Sequence, residues 1–155
     1  MVPEKFKFPL LANLKNFELK TYGSESDSLL NFAPLIEAAP SMLRFSLEFI
    51  WIENAWLNGR RQKKAATKCP HQCLKEVELA GFVGHAIDME FAEYLIENAI
   101  ALEKIIIDPA NLSWRGYELS LPDERLKEIP NIIEQVMKLQ SKYSLGDKLV
   151  LHNLE

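Results

Sequence analysis

Apolar residues recur along this chain in one short spacing. With Leu74 as position 1, apolar side chains fall at positions 1, 4, 6 and 9: Leu74, Val77, Leu79 and Phe82. The spacing returns upstream at Leu14, Phe17, Leu19 and Tyr22, and again at Met42, Phe45, Leu47 and Ile50. It returns downstream at Leu102, Ile105 and Ile107. Positions 4 and 6 alternate as in a strand with one face turned inward. The LxxLxL kernel is that of a leucine-rich repeat. Successive starts lie 28, 32 and 28 residues apart, and two of these fall in the range of roughly 20–29 residues for such repeats.

A longer self-similarity points the same way. Displacing the chain by 60 residues brings Leu14 onto Leu74, Lys15 onto Lys75, Glu18 onto Glu78 and Leu19 onto Leu79. Further along it brings Leu35, Ile36, Glu37 and Ala39 onto Leu95, Ile96, Glu97 and Ala99. The duplicated unit is a pair of repeats.

Helical patterns sit between the strands. "DSLLNFAPLIEAA" puts Leu29, Phe32, Leu35 and Ile36 on one face after an Asp27/Ser28 start signal, and Pro34 requires the first turn or an irregular helix. "DMEFAEYLIENA" puts Met89, Ala92, Leu95 and Ile96 on one face, with Asp88 as N-cap. "LPDERLKEIPNIIEQVMKLQSKY" reads as a helix with a break or kink at Pro130 and a stripe of Ile132, Ile133, Val136 and Leu139. "LGDKLVLHNLE" reads as a last strand, although Lys148 falls at position 4 if Leu145 is position 1. A strand and a helix bury no core alone and bury one when stacked. The expected fold is α/β: a leucine-rich-repeat solenoid of four to five repeats, short parallel strands alternating with helices, a C-terminal helix as cap, and one domain over residues 1–155.

Composition narrows the function. The chain of 155 residues is 48% hydrophobic and 26% charged, a globular mix. Its formal net charge of −4 disfavours general nucleic-acid binding, which depends on surplus Lys and Arg. No apolar run reaches the roughly 20 residues of a membrane span. Lys5, Lys7 and Lys15 interrupt the N-terminal stretch, which lacks a signal-peptide pattern. An intracellular protein, cytoplasmic or nuclear, is expected.

Two segments hold candidate chemistry. Cys69, His71 and Cys73 lie within five residues. A structural zinc site usually needs a second ligand pair, and the thioredoxin pair is CxxC; this segment is CxxxC. Pro70 holds Cys69 extended. The expected role is a loop entering a strand, with no metal and no cofactor. The second segment, residues 53–72, has no helical face and accounts for the longer spacing. Its cations Arg60, Arg61, Lys63, Lys64 and Lys68 make nucleic-acid contact through 60–68 the alternative function.

At "CPHQCLKEVELAGFVG" and "MEFAEYLIENAIALEKIIIDP" the chain resembles the C-terminal leucine-rich-repeat and FBD-like region of plant F-box proteins. The resemblance is carried by Pro70, His71, Leu74, Lys75, Val77, Leu79, Gly81, Phe82 and Gly84. It continues through Glu90, Phe91, Tyr94, Leu95, Glu97, Asn98, Ala99, Leu102, Glu103, Lys104 and Asp108–Pro109. It implies a substrate-recognition type of protein binding, and gives His71 a place at the strand entry. Family members begin with an F-box, which binds the Skp1 adaptor of a ubiquitin ligase. No segment here resembles one, so Skp1 is not an expected partner.

The leading expectation is a non-enzymatic protein-interaction module. Outward strand positions supply its candidate contacts: Glu18, Lys20, Glu48, Glu78, Lys104 and Asp108. The partner protein is not specified by the sequence. An enzyme would have to pair Glu76 or Glu78 with His71 or His85 as acid and base, and no second constellation supports that. The first strand, Leu14–Leu19, is expected to offer an open edge for self-association or a partner.

Overall fold

The computed structural model describes residues 10–23, 32–51, 69–84, 86–109 and 123–152. Among these residues five strands form one sheet in the order β1-β2-β3-β4-β5. They are β1 (Asn16–Gly23), β2 (Arg44–Trp51), β3 (Glu76–Ala80), β4 (Lys104–Asp108) and β5 (Leu149–Leu151). All four neighbouring pairs are parallel. Among the described residues three α-helices lie between strands in the chain: α1 (Ala33–Glu37), α2 (Ala86–Asn98) and α3 (Asp123–Tyr143). Strand order follows chain order throughout, unlike the reversal of a doubly wound sheet.

The repeated spacing is the register of this sheet. Phe17 pairs with Phe45, Phe45 with Val77, and Val77 with Ile105. Leu19, Leu47, Leu79 and Ile107 form the parallel row two residues on. The strand entries repeat too. The N–H groups of Leu43 and Arg44 both donate to the Lys15 carbonyl, at 2.7 and 3.1 Å. Those of Lys75 and Glu76 donate to the Leu43 carbonyl, and those of Glu103 and Lys104 to the Lys75 carbonyl. Arg44 pairs with Glu76 without a slip, so the residues behind the spacing of 32 rather than 28 sit between β2 and β3.

Positions 4 and 6 build the core. Phe45, Val77, Ile105 and Ile107 are 0% exposed. Phe45 stacks on Phe17 at 6.2 Å between ring centres and meets the edge of Phe91 from α2 at 6.1 Å. Burying each such side chain contributes about 1.5–3 kcal/mol. Phe17 and Leu19, the same positions in β1, are only partly buried, as is Leu14 at position 1 ahead of that strand.

The helices differ from their expected faces in instructive ways. Pro34 does lie in the first turn, at the start of a five-residue α1; the expected start at Asp27/Ser28 and Leu29 lies outside the described residues. In α2, Ala92 and Leu95 are buried, but Met89 and Ile96 only partly; Ile87, Phe91 and Tyr94 complete the packed face. Asp88 is not the N-cap. It sits within α2, and its Oδ2 accepts the N–H of Val83 at 2.7 Å and of Gly84 at 3.2 Å, closing the turn before the helix. Gly84 has φ +76°, and a Cβ there would stand 3.2 Å from Gln135 Cγ. Gly84→Ala is therefore expected to cost about 1–3 kcal/mol, read as a lower urea midpoint.

α3 continues through Pro130. Ile132, Val136 and Leu139 are buried, whereas Ile133 is 40% exposed. The buried three follow an i, i+4, i+7 line, and the next residue round the helix leaves that line. The last strand corrects the register expected for it. Leu149 pairs with Ile105 and Leu151 with Ile107, so position 1 falls on Gly146. Leu145 is buried one residue early, ahead of the 3-10 turn Gly146–Lys148.

Candidate functional site

Charged rows cross the strands on the register that aligns the core. Asn16, Arg44, Glu76 and Lys104 form one such row. Arg44 Nε lies 3.0 Å from Glu76 Oε2, and its Nη2 donates to Glu78 Oε1 at 3.1 Å. Lys104 Nζ approaches the other Glu76 oxygen at 4.0 Å. On the next outward row but one, Lys20 Nζ lies 3.6 Å from Glu48 Oε1. Cross-strand pairs of this kind contribute roughly 0.2–1 kcal/mol each.

Glu18, Lys20 and Lys104 are exposed, as expected of outward positions. Glu48, Glu78 and Asp108 are not: they are 5%, 8% and 0% exposed. Their row neighbours Ser46, Ala80 and Ile106 are buried as well. Parallel sheets are commonly covered on both faces, and here the two outward rows through Glu78 and Glu48 are buried from β2 to β4 while the row of Arg44, Glu76 and Lys104 at the strand entries stays partly or fully exposed. Alternation along a strand separates two faces but does not say which of them meets water. The structure brings Lys20 to Glu48 and Arg44 to Glu78. Arg44 was missed in the sequence, although its register partner Glu76 is of opposite charge.

His71 is buried and all its polar edges are occupied. Its Nδ1 accepts the N–H of Cys73 at 3.1 Å and of Leu74 at 3.0 Å. That requires the tautomer with the proton on Nε2, which donates to the Ala39 carbonyl at 2.8 Å. The main chain of His71 donates to the Asn98 carbonyl at 2.7 Å, as Leu11 donates to Ala38 sixty positions earlier. At the other strand entries, Leu14, Met42 and Leu102 each donate to the carbonyl three residues back. Here the imidazole replaces that carbonyl, which instead accepts from Ile100 at 3.2 Å. His71 thus ties the entry of β3 to the ends of α1 and α2. It has no nitrogen left for a metal or for acid–base work with Glu76 or Glu78.

The cysteines flank this knot as free thiols. The Cys69 N–H donates to Asn98 Oδ1 at 2.9 Å, and Asn98 Nδ2 donates to the Tyr94 carbonyl at 2.8 Å. Burial, and then the Glu37 charge, push the Cys69 thiol up, away from the thiolate a nucleophile or metal ligand needs. Burial, with Glu37 and Cys69 behind it, also pushes the Tyr94 phenol up to about 12. Cys69→Ser with Cys73→Ser is expected to move the melting temperature by no more than about 2 °C. Metal analysis of the parent chain should find no stoichiometric zinc. Among the described residues, no group of three or more His, Cys, Asp or Glu is arranged to hold a metal ion.

α3 is fastened along α2 at both ends. Asn131 and Gln135 lie against Gly84 at the start of α2. Near its end, Lys142 Nζ reaches Glu93 Oε2 at 2.6 Å, and the Tyr143 hydroxyl shares its single proton between Glu97 and Glu93, the latter at 3.1 Å. Tyr143→Phe is expected to cost about 1 kcal/mol, seen as a small fall in urea midpoint with the fold retained.

The basic run at 60–68 and His85 lie outside the described residues, so the alternative nucleic-acid contact gains no geometry. No helix among the described residues is long and apolar enough to cross a membrane. No curated protein and no solved structure matches the chain. One family model does, FBD, over residues 62–107. That span takes in the His71 knot, β3, α2 and nearly all of β4, so this stretch of the chain is similar to the FBD family.

Proposed function

We propose that this chain is a non-enzymatic protein-interaction module, built as a leucine-rich-repeat solenoid of four to five repeats with α3 as its C-terminal cap. The observation that carries the reading is the common register of Phe17, Phe45, Val77, Ile105 and Leu149 across five parallel strands in chain order. A stack of this kind spreads neighbouring side chains over an extended surface suited to another protein. The FBD match supports it, since such segments occur in F-box-type proteins. Partner contact is assigned to the exposed Glu18, Lys20 and Lys104, with Glu48 and Glu78 holding the cations Lys20 and Arg44 in place. Asp108 backs the end of that row. The partner is a protein of the cytoplasm or nucleus.

The test is quantitative affinity capture from plant extract with the parent chain and Lys104→Glu side by side. The reading expects at least one protein whose recovery falls about tenfold or more in the variant, the loss of one good interface contact, at an unchanged melting temperature. Identical recoveries from the two chains would remove Lys104 from the contact surface.

A further inference from the structure

Among the described residues, the first strand ends the stack. β1 has eight residues and, among the described residues, pairs only with β2. Its inward side chains Phe17 and Leu19 are partly buried where their counterparts in β2, β3 and β4 are buried. Its backbone is oriented. The Lys15 carbonyl faces β2, where it accepts from Leu43 and Arg44. Backbone groups alternate sides along a strand. Phe17 and Leu19 therefore bond towards β2, and the N–H and C=O of Asn16, Glu18 and Lys20 point to the open edge.

We propose that a second copy of this chain occupies that edge, its β1 antiparallel to the first about a twofold axis through Leu19. The proposal rests on reading the chain as a repeat stack, and adds the occupant and the register. Only edge-facing residues can exchange ladder bonds. A twofold axis at position 18 sets Glu18 against Glu18 of the second copy; one at position 20 sets Lys20 against Lys20. With the axis at Leu19, Glu18 faces Lys20 of the second copy, and Lys20 faces its Glu18. Both pairs are edge-facing, so each brings opposite charges and ladder hydrogen bonds together. Glu18 and Lys20 are exposed on the outward face, so neither must leave a core to pair. On the inward face Leu19 meets Leu19, and the partly buried Phe17 gains cover. A twofold axis perpendicular to the sheet keeps both helical layers on one side, so the two cores join. Such a self-complementary patch is the rule for twofold dimers.

The pattern gives a charge-exchange test. The parent chain should sediment as a dimer at about 100 µM, within the range where exposed edges associate. Glu18→Lys alone sets Lys against Lys twice, and should weaken the dimer at least about tenfold. Lys20→Glu sets Glu against Glu. An equimolar mixture of the two variants restores opposite charges at both pairs, and should form a heterodimer. Lys20 also pairs with Glu48, so Lys20→Glu is first checked for folding by circular dichroism. A second readout needs no variant. Between about 1 and 100 µM, amide hydrogen exchange of the parent should slow at Glu18 and Lys20 and stay unchanged at Leu19, which bonds to β2. A monomer at about 100 µM, a dimer untouched by Glu18→Lys, or amides indifferent to concentration would each overturn the proposal. None of these results would alter the Lys104→Glu comparison, so the interaction reading can stand if the dimer falls.

Discussion

Leu79→Asp is expected to abolish cooperative folding. Leu79 is 4% exposed in the middle strand of the sheet, in register with Leu47 on one side and Ile107 on the other. The substitution forfeits about 1.5–3 kcal/mol of apolar burial. It also forces a carboxylate into a site lined by Leu47, Phe82 and Phe91, at several kcal/mol more. The sum rivals the roughly 5–15 kcal/mol that holds a typical domain together. Circular dichroism should show no cooperative thermal transition. The control is Leu43→Asp. Leu43 is 40% exposed one residue before β2, so its charge can stay in water and the melt should remain close to the parent's. A parent-like melt for Leu79→Asp would mean that positions 4 and 6 do not face the core.

His71→Ala is expected to be the most damaging change outside the apolar core. The imidazole satisfies the part-buried N–H of Cys73, the buried N–H of Leu74 and the buried carbonyl of Ala39. Each buried group left without a partner costs about 1–3 kcal/mol, so the Leu74 N–H and the Ala39 carbonyl together should lose about 2–6 kcal/mol, and the part-buried Cys73 N–H, which water can reach, adds less. Equilibrium urea unfolding would register it as a large fall in midpoint. A metal role predicts a different result, loss of a bound ion with the variant and rescue of stability by added zinc. The geometry expects neither, because both ring nitrogens already have backbone partners.

The strands were legible in the sequence because one periodic signal served two purposes. The spacing that buries Phe45 and Leu47 is also the spacing that sets them beside Val77 and Leu79, so the pattern carried register as well as secondary structure. The last strand broke that rule. Gly146–Lys148 forms a tight turn that shifts Leu145 out of line with Leu102, and an LxxLxL count started at Leu145 comes out one residue early. The helix faces were harder. α2 is apolar on most of its circumference, and periodicity alone could not choose Phe91 and Ile87 over Met89 and Ile96. The candidate contacts were legible only in part. Alternation correctly set Glu48, Glu78 and Asp108 opposite the core, but burial on that side depends on long-range packing that no local pattern records. His71 could be placed at a strand entry from sequence. Its hydrogen bonds to Ala39 and to its own loop depend on repeats meeting in space.

The repeated spacing is the stacking register of successive parallel strands. Scalar couplings across backbone hydrogen bonds, measured by NMR on the isotope-labelled chain, test it without any substitution. Couplings should run from the amide of Arg44 to the carbonyl of Lys15, from Glu76 to Leu43, and from Lys104 to Lys75. Couplings that join β1 directly to β3, or that pair any two of these strands antiparallel, would contradict it.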